Sequence, residues 1–129
     1  MLIHEELTSK IIRCFYTVYN KLGYGFLEKV YENTLMFELQ NNGLNSVQQA
    51  PIKVFYNDRQ VGSYFADILV ENICVLELKA GEGGIILEHE LQLTNYLKAT
   101  EYEIGLLLFF GEKPSFKRKV FTNEHKQIR

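Results

Sequence analysis

Asp67, Glu77 and Lys79 fall within "YFADILVENICVLELKAG", two runs that otherwise read as strands made for burial. Charged side chains are rarely buried unless they are paired or hold a metal. Alternate residues of a strand share a face. Glu77 and Lys79 therefore point one way, and Leu76 and Leu78 the other. Whether Asp67 joins them depends on register. A three-residue connection, Glu71-Asn72-Ile73, sets Asp67 opposite Glu77, whereas a two-residue connection sets it opposite Leu76 and parts the charges. Asn72 tolerates the left-handed backbone that a three-residue hairpin requires.

Two carboxylates brought to about 4 Å repel by about 4 kcal/mol at an effective dielectric near 20. Lys79 offsets part of this, and a divalent cation would offset far more. Oxygen-only ligation with open positions suits magnesium or manganese. Such an ion lowers the pKa of a bound water and stabilises charge building on a phosphate. Lys79 would orient that nucleophile or stabilise the phosphorane. A salt-bridged surface strand explains the same three residues with no chemistry.

The elements that must position these residues follow from periodicity. Leu7, Ile11, Phe15, Val18 and Leu22 step at helical spacing, and "LGYG" ends that helix. A second helix is expected from Phe26 to Gln40, with Gly43 in its exit turn. Extended structure over Val47–Tyr56, a turn at "NDRQ", and strands over Val61–Val70 and Ile73–Lys79 make a three-strand meander. After the loop "GEGG", "IILEHELQLTNYLKAT" reads as a third helix with Ile86, Glu90, Leu93 and Leu97 along one stripe. "EIGLLLFF" is the continuous apolar run of a strand covered on both faces, and "FKRKVF" reads as an edge strand. A meander followed by a helical crossover makes a mixed sheet flanked by helices, an α/β or α+β sandwich. No linker, repeat or low-complexity tract divides the chain, so one domain over residues 1–129 is expected.

The pattern Asp67, nine residues, then Glu77-Leu78-Lys79 resembles the PD-(D/E)XK nuclease superfamily. Gly25, Glu28 and Tyr31 of "GFLEKVY" match the signature of the GxxExxY protein family, a branch of that superfamily. "QLTNY", Gln92 to Tyr96, looks like the QxxxY element that lies beside the active site in RecB-like members. "LTSKII", "LGYGFLE", "FADILVENICVLELKA", "QLTNYLKAT" and "GLLLFFG" follow in the family's order, so the resemblance covers almost the whole chain. Tyr19 stands where many relatives carry His, and Tyr24 where they often carry Pro.

The resemblance implies a restriction-endonuclease-like mixed β-sheet with flanking helices. It implies hydrolysis of nucleic-acid phosphodiesters, with DNA the expected substrate, and a magnesium or manganese cofactor. Asp67 and Glu77 would hold the metal with the Leu78 carbonyl, Glu28 would assist, and Lys79 would serve the water. Gln92, Tyr96 and Tyr31 would meet the substrate. The rival reading, from another class, is a non-catalytic module that keeps the nuclease fold to bind nucleic acid or protein.

Bulk composition is compatible with either. With 47% hydrophobic and 23% charged residues the chain reads as compact rather than disordered. "MLIHEELTSK" lacks a basic region followed by an apolar core, and "IGLLLFF" is too short to span a bilayer, so a cytoplasmic protein is expected. Cys14 and Cys74 read as small core residues of a reducing compartment. With scattered His4, His89 and His125 they make no thiolate metal site. Residues 110–129 carry six Lys/Arg against two Glu, a local balance of +4, while the rest carries eight basic and fourteen acidic side chains, −6. Lys117 and Lys119 of that basic segment are candidates for phosphate contacts, or for the lysines that protect an edge strand from aggregation. One small domain offers little DNA-reading surface, which leaves room for a homodimer or a partner subunit.

Overall fold

A computed structural model of the chain describes residues 2–127. Arg129, counted in the basic segment, lies outside the described residues. The elements run α1 (Glu5–Leu22), α2 (Glu28–Asn41), β1 (Ser46–Tyr56), β2 (Arg59–Val70), β3 (Cys74–Ala80), α3 (Leu87–Ala99), β4 (Ile104–Phe110) and β5 (Pro114–Val120), then a 3₁₀ turn, Asn123–His125. This is the order expected from periodicity. α1 buries Ile11, Cys14, Phe15 and Val18, and its last turn closes as the Gly23 N–H donates to the Tyr19 carbonyl at 2.8 Å. α2 starts two residues later than expected, because Gly25 at φ 110° holds the preceding chain outside helical backbone.

The sheet order is β1-β2-β3-β4-β5, with β3 and β4 parallel and the other neighbours antiparallel. α3 is the crossover between the two parallel strands. α1 and α2 pack on one face of the sheet against Ile68, Val70, Leu76, Leu78, Leu106 and Leu108. On the other face, Leu93, Tyr96 and Leu97 of α3 pack against Ala50, Ile52, Ala66, Leu69, Val75 and Leu107. All seven residues of β4 are buried, as a strand covered on both faces requires. β5 pairs with β4 alone and is an edge, as its lysines suggest.

Register decides the chemistry. Ile68 pairs with Leu76, Leu69 with Val75 and Val70 with Cys74, so the connection is the three-residue one, with Glu71 and Asn72 both left-handed at φ 54°. Glu71 is held there by contacts to the preceding chain. Its N–H donates to the Asn45 carbonyl at 2.7 Å, and its carboxylate accepts from the Asn45 N–H at 2.5 Å. Continued by one residue, this register sets Asp67 opposite Glu77.

The strands part at that point. The β2–β3 ladder ends at Ile68↔Leu76, while β1 and β2 stay paired as far as Tyr56↔Arg59 and form a long hairpin arm. Alternation also breaks here. Ile68, paired with Gln48, packs toward α1 and α2, yet Ala50 and Ala66, two residues further along each strand, pack toward α3. Residues two apart should share a face, so the hairpin turns over between these pairs. Gln49, directly across from Asp67, has φ 53°, and the ladder skips this pair.

Candidate functional site

The carboxylates sit in the fork where β2 leaves β3. The Leu78 N–H, which a continuing β2 would have met with a backbone carbonyl, donates instead to Asp67 Oδ2 at 2.7 Å. In a strand the N–H and C=O of one residue point to the same side, so the Leu78 carbonyl also faces the fork. Glu77 is 3% exposed, and its Oε1 is buried with no hydrogen-bond partner. The Asp67 carboxylate lies close enough for its charge to act on Glu77.

That geometry shifts both acids upward. Burial first, then the Asp67 charge, pushes the Glu77 carboxyl from its ordinary 4.5 up to about 9. Burial likewise raises Asp67, against the lowering effect of the Leu78 N–H, and the Glu32 charge raises it further. Glu77 therefore keeps its proton near neutral pH. Removing that proton without a cation would strand negative charge in a water-poor fork.

Lys79 lies two residues beyond Glu77 on the same strand and is half-buried. Its charge acts on both acids, in the lowering direction. Gln92 and Tyr96 come from α3 on the same sheet face, where Gln92 Nε2 donates to Tyr96 Oη at 3.1 Å. The Tyr96 hydroxyl is raised by burial, then by the charge of Glu77, whose reach extends to it. Asp67, Glu77, Lys79, Gln92 and Tyr96 thus gather at one end of the sheet.

Four expected residues do not take the expected places. Glu28 is exposed at the first position of α2. One turn further, Glu32 is 4% exposed and close enough for its charge to act on Asp67, so Glu32 is the acid that α2 brings toward the fork. The reason is length: α2 begins at Glu28, and its buried stripe runs through Tyr31, Glu32, Leu35 and Leu39. Glu32 is held by Gln48 Nε2 at 2.7 Å, by Gln49 Nε2 at 3.2 Å and by Lys29 Nζ at 3.0 Å. Gln48 and Gln49 are consecutive yet reach the same acid, which the left-handed turn at Gln49 makes feasible. An acid on an otherwise apolar helical stripe was the available signal for Glu32.

Tyr31, expected at the substrate, is fully buried. Its ring stacks on Phe110 at 4.2 Å and its hydroxyl donates to the Gly23 carbonyl at 2.8 Å, so it pins the loop before α2 to the core. Lys117 and Lys119 project toward α3, where Glu90 engages Lys119 at 2.5 Å and Lys117 at 4.0 Å. This pairing holds Glu90 below the ordinary carboxylate range. Tyr19 donates to the backbone carbonyls of Gly111 and Glu112 and has no part in the fork. Cys14 and Cys74 are buried free thiols. Burial pushes Cys74 up to about 12, which makes it inert.

The residues fit a divalent cation by chemistry: two carboxylates, one of them with a buried oxygen that has no partner, and a strand carbonyl. Among the described residues, no three His, Cys, Asp or Glu side chains stand together as a ready metal cluster. Two carboxylates, with Glu32 behind them, are what the fork provides.

With this geometry in place, the sequence matches the PD-(D/E)XK nuclease superfamily over residues 5–120. The chain belongs to that superfamily. No curated protein matches the sequence. Among solved structures, the crystal structure of SSO0001 superposes with a TM-score of 0.57 at 20% identity, covering 92% of this chain and 60% of that one. The likeness supports the fold alone. Five mixed strands between helices make this a restriction-endonuclease-like α+β fold. No helix among the described residues is long and apolar enough to cross a membrane.

Proposed function

We propose that the chain is a divalent-metal-dependent nuclease of the GxxExxY branch, hydrolysing phosphodiester bonds of nucleic acid, DNA foremost, in the cytoplasm. The observation that carries this reading is the buried, partnerless Glu77 Oε1 beside Asp67, in a fork that also holds Lys79. Asp67, Glu77 and the Leu78 carbonyl would hold magnesium or manganese. Glu32, rather than Glu28, takes the place of the helix acid. When bound, the cation supplies an activated water and neutralises charge on the phosphate. The chain's own groups do the rest. Lys79 orients the nucleophile and meets the charge that develops on the phosphoryl oxygens. Gln92 and Tyr96 hydrogen-bond the phosphate from α3. Losing the Glu77 proton readies the two acids to accept the ion. A second copy of the chain, or a partner subunit, would widen the contact to nucleic acid.

Single-turnover cleavage of a panel of single-stranded, duplex and branched DNA and RNA, with magnesium or manganese, tests the reading. The wild type should cleave at least one form. Glu77→Ala should abolish cleavage, and Lys79→Ala should slow it about a hundredfold or more while binding changes far less. Wild-type-rate cleavage by Lys79→Ala would make Lys79 a structural partner only. A wild type that cleaves nothing with either metal would leave a non-catalytic nuclease-derived binding module as the function.

A further inference from the structure

Beside the carboxylate fork, on the α3 face, a groove of about 570 Å³ runs between the hairpin arm and α3. Val54 and Tyr64 form one wall, and Leu91, Gln92, Asn95 and Tyr96 the other. The lining is mostly apolar. Tyr64 is 50% exposed, and its ring leans on that of Tyr96 with centroids 5.6 Å apart. Gln92 and Tyr96 belong to the groove and to the proposed phosphate site alike, so whatever enters the groove adjoins the scissile bond.

Gly62 bears on the width of the groove. It sits inside β2, opposite Val54, where strands ordinarily favour β-branched residues. Its backbone is not in the left-handed region, so conformation does not require glycine. A Cβ there would meet only Tyr64 at 3.5 Å and Val54 at 3.6 Å, ordinary contact distances. Packing does not require glycine either. Both neighbours are groove residues, and a larger side chain would grow into the groove. The β1–β2 register shifts between Val54 and Phe55, next to this pair, so the glycine adjoins a β-bulge, and its missing side chain leaves the groove open on that side.

We propose that this groove takes the base of an unpaired nucleotide next to the scissile phosphate, with Tyr64 as its stacking surface and the Gln92 and Asn95 amides facing its edge. This deepens the nuclease reading and rests on it for the position of the phosphate. A paired base stays within its helix and cannot enter. The acidic Glu88 at the rim disfavours a phosphate in the groove and leaves an uncharged base as the fitting occupant. Stacking on an aromatic ring is the sequence-tolerant way to hold a single strand.

The test is a fluorescence-anisotropy titration in calcium and in chelator, using dT15, rU15 and a blunt 15-base-pair duplex as probes. Wild-type protein should bind a single strand more tightly than the duplex, and comparing dT15 with rU15 assigns DNA or RNA. Tyr64→Ala and Gly62→Val should each weaken single-strand binding about tenfold and leave the duplex unchanged, while Tyr64→Phe binds as wild type. Melting curves matching the wild type establish that the variants fold; Gly62→Val introduces a residue that strands favour. Single-strand binding untouched by Tyr64→Ala and Gly62→Val overturns the proposal, as does equal weakening of single strand and duplex. Tyr64-dependent single-strand binding in a protein that cleaves nothing would sink the nuclease reading and leave this one standing.

Discussion

Glu77 is where a single residue's environment is most informative. Folded, it keeps its proton up to about pH 9; unfolded, it releases that proton near 4.5. Between those values the unfolded chain binds fewer protons, so each unit of rising pH favours unfolding, by at most about 1.4 kcal/mol. Raised Asp67 contributes with the same sign. In chelator, the urea midpoint should therefore fall as pH rises from 5.5 to 8.5, and Glu77→Gln should flatten the curve. Magnesium or manganese should restore stability mainly at the alkaline end, where the ion replaces the Glu77 proton, by about 2.7 kcal/mol at a hundredfold excess over Kd. An equal metal shift in the Asp67→Ala, Glu77→Ala double variant would place the ion elsewhere. The Asp67/Glu77 pair was legible in the sequence because strand parity is local. For Glu32 the sequence held only an acid on an apolar helical stripe, since its partners, Gln48 and Gln49, are sixteen and seventeen residues away and reach it through a backbone turn with no marker residue.

At the scale of elements, the connection 71–73 sets the register that brings Asp67 to Glu77. Asn72 was readable as its pivot because Asn is among the few side chains that accept left-handed backbone. Its Oδ1 also accepts from the Tyr102 hydroxyl at 3.1 Å, which ties the turn to the chain before β4. Asn72→Gly should cost little, whereas Asn72→Val should destabilise by about 1–2 kcal/mol, seen as a lower urea midpoint at unchanged slope. Deleting Ile73 should do more than destabilise. With two residues in the connection Asp67 faces Leu76, so metal-dependent stabilisation should vanish even in protein that remains folded. α3 offers a contrast. Its extent was legible from Ile86, Glu90, Leu93 and Leu97, but the partner of Glu90 was not, because Lys119 reaches it only once β5 has paired with β4.

Across the whole molecule, support is uneven. β3 and β4 lie at the centre with both faces covered, while the far half of the hairpin arm pairs only with itself and carries exposed Phe55, Tyr56, Val61 and Phe65. Amide exchange should then be slowest in Val75–Leu78 and Leu106–Leu108 and orders of magnitude faster from Val54 to Gly62. Uniform protection along β1 and β2 would mean that the arm is covered in solution, as by a second copy. Sequence reasoning found every strand of the arm but not its orientation. Alternation carried unbroken through Gln49 puts Ile52 and Tyr64 on the wrong side of the sheet, and the groove disappears with them.

The turnover at Gln49 and Asp67 fixes the parity of the arm at its root instead of at its tip. Residues added or removed in opposed pairs near Asn57 and Asp58 would lengthen or shorten the arm, yet each remaining side chain would keep its face and the fork would stay as it is. Reach and chemistry are thereby separable variables in this chain. Tip insertions of this kind could retune how far the protein extends along a strand of nucleic acid without touching an atom of the reacting centre.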